Sequence, residues 1–167
     1  MAEELRIINS CYILNTYSGE ALKFQFMPEF VYDRKEAIWE QTPIILRSEP
    51  IQGYAYSGVR TISFDLRFFC ESDPYRNIKE KIDFIRSLTY PVYDKVAKNP
   101  PLVIIKIGDL ISSRCYVSSY SFTYAGPWDL EKVYCYDAIV GLTFIETNTK
   151  PYGHIVVRKG RDKANAL

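Results

Sequence analysis

Residues 44–69, Ile-Ile-Leu-Arg-Ser-Glu-Pro-Ile-Gln-Gly-Tyr-Ala-Tyr-Ser-Gly-Val-Arg-Thr-Ile-Ser-Phe-Asp-Leu-Arg-Phe-Phe, carry the pattern that decides the fold. From Thr61 to Phe68, Ile62, Phe64, Leu66 and Phe68 alternate with Thr61, Ser63, Asp65 and Arg67. Strict period-two alternation predicts a strand in a sheet with one buried face and one polar or interface face. Tyr56-Ser57-Gly58 just upstream predicts a turn in which the glycine can take a positive φ. Pro50 biases Glu49 away from the helical region, so Arg47-Ser48-Glu49-Pro50 reads as an extended connection.

Toward the N-terminus, Leu5–Leu14 predicts a first strand and Tyr17-Ser18-Gly19-Glu20 a turn. Ala21–Met27 follows as a short strand in which Leu22, Phe24 and Phe26 alternate with Lys23 and Gln25, and Pro28 ends it. An N-terminal hairpin is expected. Phe30–Gln41 is two-sided: Arg34–Glu40 suits a helix, whereas Val31 and Thr42-Pro43 favour an extended path.

Toward the C-terminus, Ser72-Asp73-Pro74 marks a helix start, with Ser72 or Asp73 as cap and Pro74 at the first helical position. Ile78, Ile82, Ile85 and Leu88 form one apolar stripe on a helix expected from about Pro74 to Thr89, stopped by Pro91. Lys79, Glu80, Lys81, Asp83 and Arg86 then populate a solvated surface. Leu102–Ile107 suits a buried strand, and Gly108-Asp109 marks a turn. Leu110–Tyr124 reads as a long strand with Tyr116, Tyr120, Phe122 and Tyr124 on one side, broken by Ala125–Asp129. Val133–Glu146 is the last strong strand, with Tyr134, Tyr136, Ala138, Val140, Leu142 and Phe144 on one side. The two strands predict a long antiparallel hairpin. Residues 148–167 change character: Lys150–Gly153 leave the core, and Arg158–Lys163 is basic and broken by a glycine. Ile155-Val156-Val157 inside this extension suits docking against a neighbour. The domain plan is therefore a β domain over 1–147 and an extension over 148–167, in a chain large enough to bury roughly 70% of its unfolded surface.

Net charge is +1, which argues against a general polyanion-binding surface. Fourteen tyrosines suit half-buried sheets and protein interfaces alike, because each offers apolar area with a polar end. Cys11, Cys70, Cys115 and Cys135 form no Cys-x-x-Cys pair, so no metal site is expected, and three of them lie in or beside strands as small hydrophobes. The N-terminal residues lack the basic-then-apolar order of a signal peptide, and no run approaches the roughly 18 apolar residues of a membrane helix. A soluble protein made in a reducing cytoplasm, with no membrane partner, is expected.

Chemistry has few carriers. The one histidine, His154, lies in the extension, away from any catalytic setting. No carboxylate spacing points to a glycosidase pair, and the glycines form no phosphate-binding loop. Gly141, inside a strand, suits close packing or a bulge. The chain reads as a non-enzyme with no cofactor. Small aromatic-faced β-barrels also bind single-stranded nucleic acid by stacking. Here the aromatics share faces with Ile, Leu and Val, which favours a core.

Taken in order, Phe24-Gln25-Phe26-Met27-Pro28-Glu29, Ile44–Gly53, Ser57–Leu66, Ile82–Pro91 and Gly141–Glu146 cover most of residues 21–147. This order and spacing resembles the tube-type proteins of contractile phage tails and related injection systems. Within them it is most like the baseplate tube initiators, or tail-tube adaptors, that join a hub and spike to the inner tube. The resemblance implies an extended path for Phe30–Gln41 and a mainly β (α+β) fold: an antiparallel, tail-tube-like β-barrel or sandwich with one packed helix. It also implies a ring of identical subunits, expected to be a hexamer, with hub/spike and tail-tube proteins as partners and DNA as passing cargo. The expected location is the virion baseplate, assembled in the host cytoplasm. Strand Thr61–Phe68 and hairpin Leu110–Glu146 would line the channel, with Ser63, Asp65, Arg67, Ser119, Ser121 and Thr123 facing it or solvent. Residues in the matching motifs, Arg47, Glu49, Tyr56, Ser57, Gly58, Arg60, Asp65 and Arg67, are the candidate interface residues. Arg47 and Arg60 are suited to ion pairs, either between subunits or local. No peptidoglycan-binding module follows residue 147, which favours a plain ring component. Main tail-tube and baseplate wedge proteins are the alternatives within this class, and a single-stranded nucleic-acid-binding barrel is the alternative outside it.

Overall fold

The computed structural model describes residues 10–94, 96–97 and 99–147. Their elements are β1 (Cys11–Asn15), β2 (Ala21–Lys23), β3 (Val31–Arg34), β4 (Ala37–Thr42), β5 (Ile51–Ser57), β6 (Thr61–Phe69) and α1 (Pro74–Ser87), followed by β7 (Tyr93–Asp94), β8 (Val96–Ala97), β9 (Val103–Ile107), β10 (Ile111–Asp129) and β11 (Tyr134–Glu146). Among the described residues the fold is mainly β with one helix, as the periodicity predicts.

Seven strands form one antiparallel sheet in the order β2-β1-β9-β10-β11-β6-β3. It is an open sheet with β2 and β3 as edges, so the backbone ladder does not close into a barrel. The sheet nevertheless curls until its ends meet. Phe24, just after β2, packs on Phe64 of β6 with ring centroids 5.5 Å apart, although four strands separate them in the ladder. The expected barrel is thus closed by side chains along a seam rather than by strand pairing. The N-terminal hairpin forms as expected (Tyr12 opposite Lys23), but β2 ends at Lys23. Leu22 and Phe24 are buried while Phe26 is exposed.

Burial along β6 follows the predicted alternation: Ile62, Phe64, Leu66 and Phe68 are all buried. They stack with Val140, Leu142 and Phe144 of β11, and the rings of Phe64 and Phe144 lie 5.3 Å apart. Burying such a side chain contributes roughly 1.5–3 kcal/mol relative to exposure. The β10–β11 hairpin departs from expectation twice. An extra residue in β10 between Val117 and Ser119 shifts the register. Cys115 and Val117 therefore face the core and Tyr116 does not, while Tyr120 and Phe122 rejoin the core side beyond the bulge. Plain alternation put Tyr116 with them; one inserted residue reverses the facing. The strand also continues through Ala125–Asp129, where a second shift between Ala125 and Trp128 absorbs Gly126 and Pro127.

Asp73 caps α1, its side chain accepting from Arg76 N at 3.3 Å. Ile78, Ile82, Ile85 and Leu88 are buried to the last atom or nearly so, and they cover the core side of β10 and β11. On the exposed side, Lys79 pairs with Asp83 at 2.7 Å. No helix among the described residues is long and apolar enough to cross a membrane. The extension 148–167, with its Ile155–Val157 run and His154, lies outside the described residues.

Candidate assembly surface

Phe30–Gln41 is extended, and its second half opens an arm. β4 and β5 pair only with each other, from Ala37 opposite Ser57 to Thr42 opposite Ile51. Nearly every residue of the arm is exposed; Ile38 and Ala55 are half-buried. Two-stranded hairpins are marginal in water on their own. Here Trp39 and Tyr54 meet edge to face with centroids 5.6 Å apart, and the Tyr54 hydroxyl lies 2.7 Å from Ser57 Oγ. At the arm's base, Gly58 N donates to Glu36 O at 2.8 Å. A Cβ on Gly58 would stand 3.2 Å from that same oxygen. Close backbone approach, not the positive φ expected from the sequence, is what glycine supplies there: among the described residues the glycines with positive φ are Gly19 and Gly108.

The tip is a tight turn, with Arg47 N donating to Ile44 O at 3.2 Å and Leu46 held at φ 67°. Leu46 is fully exposed and Ile45 is 90% exposed. A leucine in the left-handed region with no apolar cover is doubly unfavourable in an isolated chain. Trp39 is a further large apolar group left open, at 58%, with Tyr54 and Tyr56 similarly exposed. Arg47 and Glu49 flank the tip and line a shallow cleft with Pro50 and Ile51.

Arg60 has another role. It is 8% exposed, donating through Nε to Asp33 Oδ1 at 2.7 Å and through Nη2 to Asp33 Oδ2, with Nη1 3.4 Å from the buried Glu146 carboxylate. Ser113 Oγ donates to the same carboxylate at 2.8 Å. Three strands (β3, β10 and β11) are tied by this cluster to the residue that leads into β6, so Arg60 is a clasp inside the fold.

The sheet face away from α1 carries the expected polar set. Asp65, Arg67, Ser119, Ser121 and Thr123 are exposed and Ser63 is partly so. Arg67 Nε donates to Asp137 Oδ1 at 3.0 Å, and this bonded carboxylate raises the guanidinium pKa. Gly141 lets that face close up: a Cβ there would lie 2.7 Å from Ser121 Oγ and 3.1 Å from Asp65 Oδ1. Beside it, at the seam, Phe26, Met27, Phe30 and Tyr32 oppose Asp65 and Arg67 across a cleft of about 440 Å³.

Burial pushes the thiols of Cys70 and Cys135 above their ordinary range, so neither is a thiolate nucleophile at neutral pH. Burial also lowers the pKa of Lys81, whose ammonium sits 5.2 Å from the Phe68 ring centroid. Among the described residues no group of three or more His, Cys, Asp or Glu is placed to hold a metal ion.

Sequence reasoning named Arg47, Glu49, Tyr56 and Ser57 on the arm but missed Trp39, Ile45, Leu46 and Tyr54. A signal was present: Ile44-Ile45-Leu46 lies between Pro43 and Pro50, too short and too enclosed by proline to be a core strand. No protein-family model matches the chain, and no curated protein matches it either.

Proposed function

We propose that the chain is a structural subunit of a contractile-tail baseplate, forming a ring that connects hub and spike to the inner tube and templates tube assembly. The observation that carries this reading is the β4–β5 arm, with Ile45 and Leu46 uncovered at its tip and Trp39 along its side. Exposed apolar groups concentrated on a projecting arm mark a protein interaction site. The open sheet adds two short edge strands that a neighbouring copy can cover, and a heterologous contact repeated around an axis closes into a ring.

The polar face of β6, β10 and β11 is the surface turned to the channel in this reading. Its one described cation on β6, Arg67, is matched by Asp137, and Asp65 stands beside it. Such a wall holds no excess positive charge to retain a passing polyanion. The function is templating by shape and by paired surfaces, with no bond made or broken.

Replacing Ile45 and Leu46 together with serine tests this reading. Both side chains are solvated in the single chain, so thermal stability stays within about 0.5 kcal/mol of the parent. Light scattering and negative-stain imaging then report loss of self-association. Unchanged assembly in this variant would remove the arm's role.

A further inference from the structure

In the ring reading, on which this inference rests, the arm needs a receiving surface on the neighbouring copy. We infer that its tip, Ile45 and Leu46, docks on the turn that joins β10 to β11 in a second copy of the chain, against Trp128, Leu130 and Val133.

The β10–β11 turn is a second apolar projection. β11 parts from β6 at Asp137, opposite Phe69. Beyond that point β10 and β11 run on together, Trp128 opposite Cys135 and Asp129 opposite Tyr134, with no third strand beside them among the described residues. Leu130 is 89% exposed and Val133 73%, and Trp128 is open beside them. Val133 is also held at φ 50°, a region that a β-branched residue enters only at a cost. Leu46 at the arm tip combines the same two features: an exposed apolar side chain on a left-handed backbone.

The two projections leave the sheet at opposite ends. β3 passes into the arm where Arg34 lies opposite Thr61, whereas the β10–β11 turn lies past Phe69. Thr61 and Phe69 stand about 27 Å apart at the usual rise per residue. A contact between arm and turn therefore joins two copies through unlike surfaces, the heterologous kind that closes a ring. It also lies beyond both ends of β6, so Ser63, Asp65 and Arg67 stay open to the channel.

Charge selects this pairing over the symmetric ones. Asp129 and Glu131 stand at the turn, Asp129 Oδ1 accepting from Glu131 N at 3.0 Å, while Lys132 pairs with Asp73 at 3.8 Å. The arm carries Arg47 immediately after Leu46, and its nearest carboxylate, Glu49, lies two residues further from the turn. Two arm tips together would bring the arginines together, and two β10–β11 turns would bring their carboxylates together. Arm on turn sets opposite signs around an apolar centre.

The test places benzoylphenylalanine at position 45 of the full chain. An equal mixture of ¹⁵N-labelled and unlabelled protein is irradiated at high concentration, digested and mapped by mass spectrometry. The contact requires cross-links to residues 128–133, with the two isotopic forms joined as often as like forms. A second variant, Leu130→Ser with Val133→Asn, keeps the fold because both side chains are exposed and asparagine suits the left-handed region. It should lower the cross-link yield about fivefold or more. Cross-links confined to one isotopic form, arm-to-arm cross-links at residues 44–47, cross-links to the seam cleft, no cross-link at all, or a yield indifferent to the turn variant would each overturn the inference. Light scattering on the same samples separates the two claims. Rings whose cross-links fall elsewhere overturn this contact and leave the ring standing, whereas a monomer at every concentration, indifferent to tail components, removes both.

Discussion

The carboxamide of Gln25 stands in for a neighbouring strand on the edge of β6: its Nε2 donates to Phe69 O, and Phe69 N donates back to its Oε1 at 3.2 Å. β3 covers β6 only from Thr61 to Phe64. The side chain therefore satisfies a backbone position that no strand reaches and fixes the seam of the curled sheet. Lys81 Nζ, 3.2 Å from the same Oε1, ties the seam to α1. Gln25→Ala should cost about 1–2 kcal/mol in a urea titration, since a backbone donor and acceptor lose their partner. Amide exchange at Phe69 should accelerate while that at Phe64 does not. Unchanged exchange at Phe69 would contradict the side-chain closure.

Removing the clasp should be more costly. Arg60→Ala leaves the Glu146 carboxylate, wholly buried, without its guanidinium, a loss of about 3–5 kcal/mol. Replacing Arg60 and Glu146 together with apolar residues should cost less than the first change alone, because no fully buried charge is then stranded; Asp33 also loses Arg60, but its side chain is 40% exposed. Denaturant midpoints of both single variants and the double variant decide it; losses that simply add would show that the pair is not coupled.

Gly141 and Ser121 are coupled by space. Gly141→Ala sets a methyl 2.7 Å from Ser121 Oγ and 3.1 Å from Asp65 Oδ1, so the central hairpin must shift at a cost of about 1–3 kcal/mol. Adding Ser121→Gly should recover part of that loss. Additive losses in the double-mutant cycle would place the strain elsewhere.

Alkaline stability should report Tyr134. Burial, reinforced by Tyr124, Cys135 and Asp83, pushes its hydroxyl up to about 12 from the ordinary 10. Below pH 10 the hydroxyl is protonated in both states and its contribution is fully present. Between pH 10 and 12 the unfolded chain releases the proton and the folded chain keeps it, so stability falls as pH rises. Tyr134→Phe should flatten this part of the curve. A parent slope that survives in the variant would assign the loss to another group.

The strands and the helix were legible because their side chains alternate or repeat at the spacing that burial demands. Ile62–Phe68 and Ile78–Leu88 are the clear cases. Two features were not. The bulge after Val117 has no local signature, because Val-Ser-Ser reads as strand in either register, and its position depends on pairing with β11. The seam was equally hidden: only once the sheet curls does Gln25 meet Phe69. Arg60 and Glu146, 86 residues apart, meet for the same reason, and local pattern could not separate a clasp from an interface residue. The arm was half legible, as an extended stretch bounded by Pro43 and Pro50, but its isolation from the main sheet follows from the tertiary path.

Self-assembly is the central claim, and mass in solution tests it most directly. The purified full-length chain should be measured by light scattering over a range of concentrations, with negative-stain images of the same fractions, alone and with hub protein added. The account predicts closed rings, or monomers that close into rings when hub protein is present. Long tubes formed by the chain alone would favour a main tube protein over an initiator. A monomer at every concentration, indifferent to tail components, would contradict the account and turn attention to salt-dependent binding of single-stranded nucleic acid.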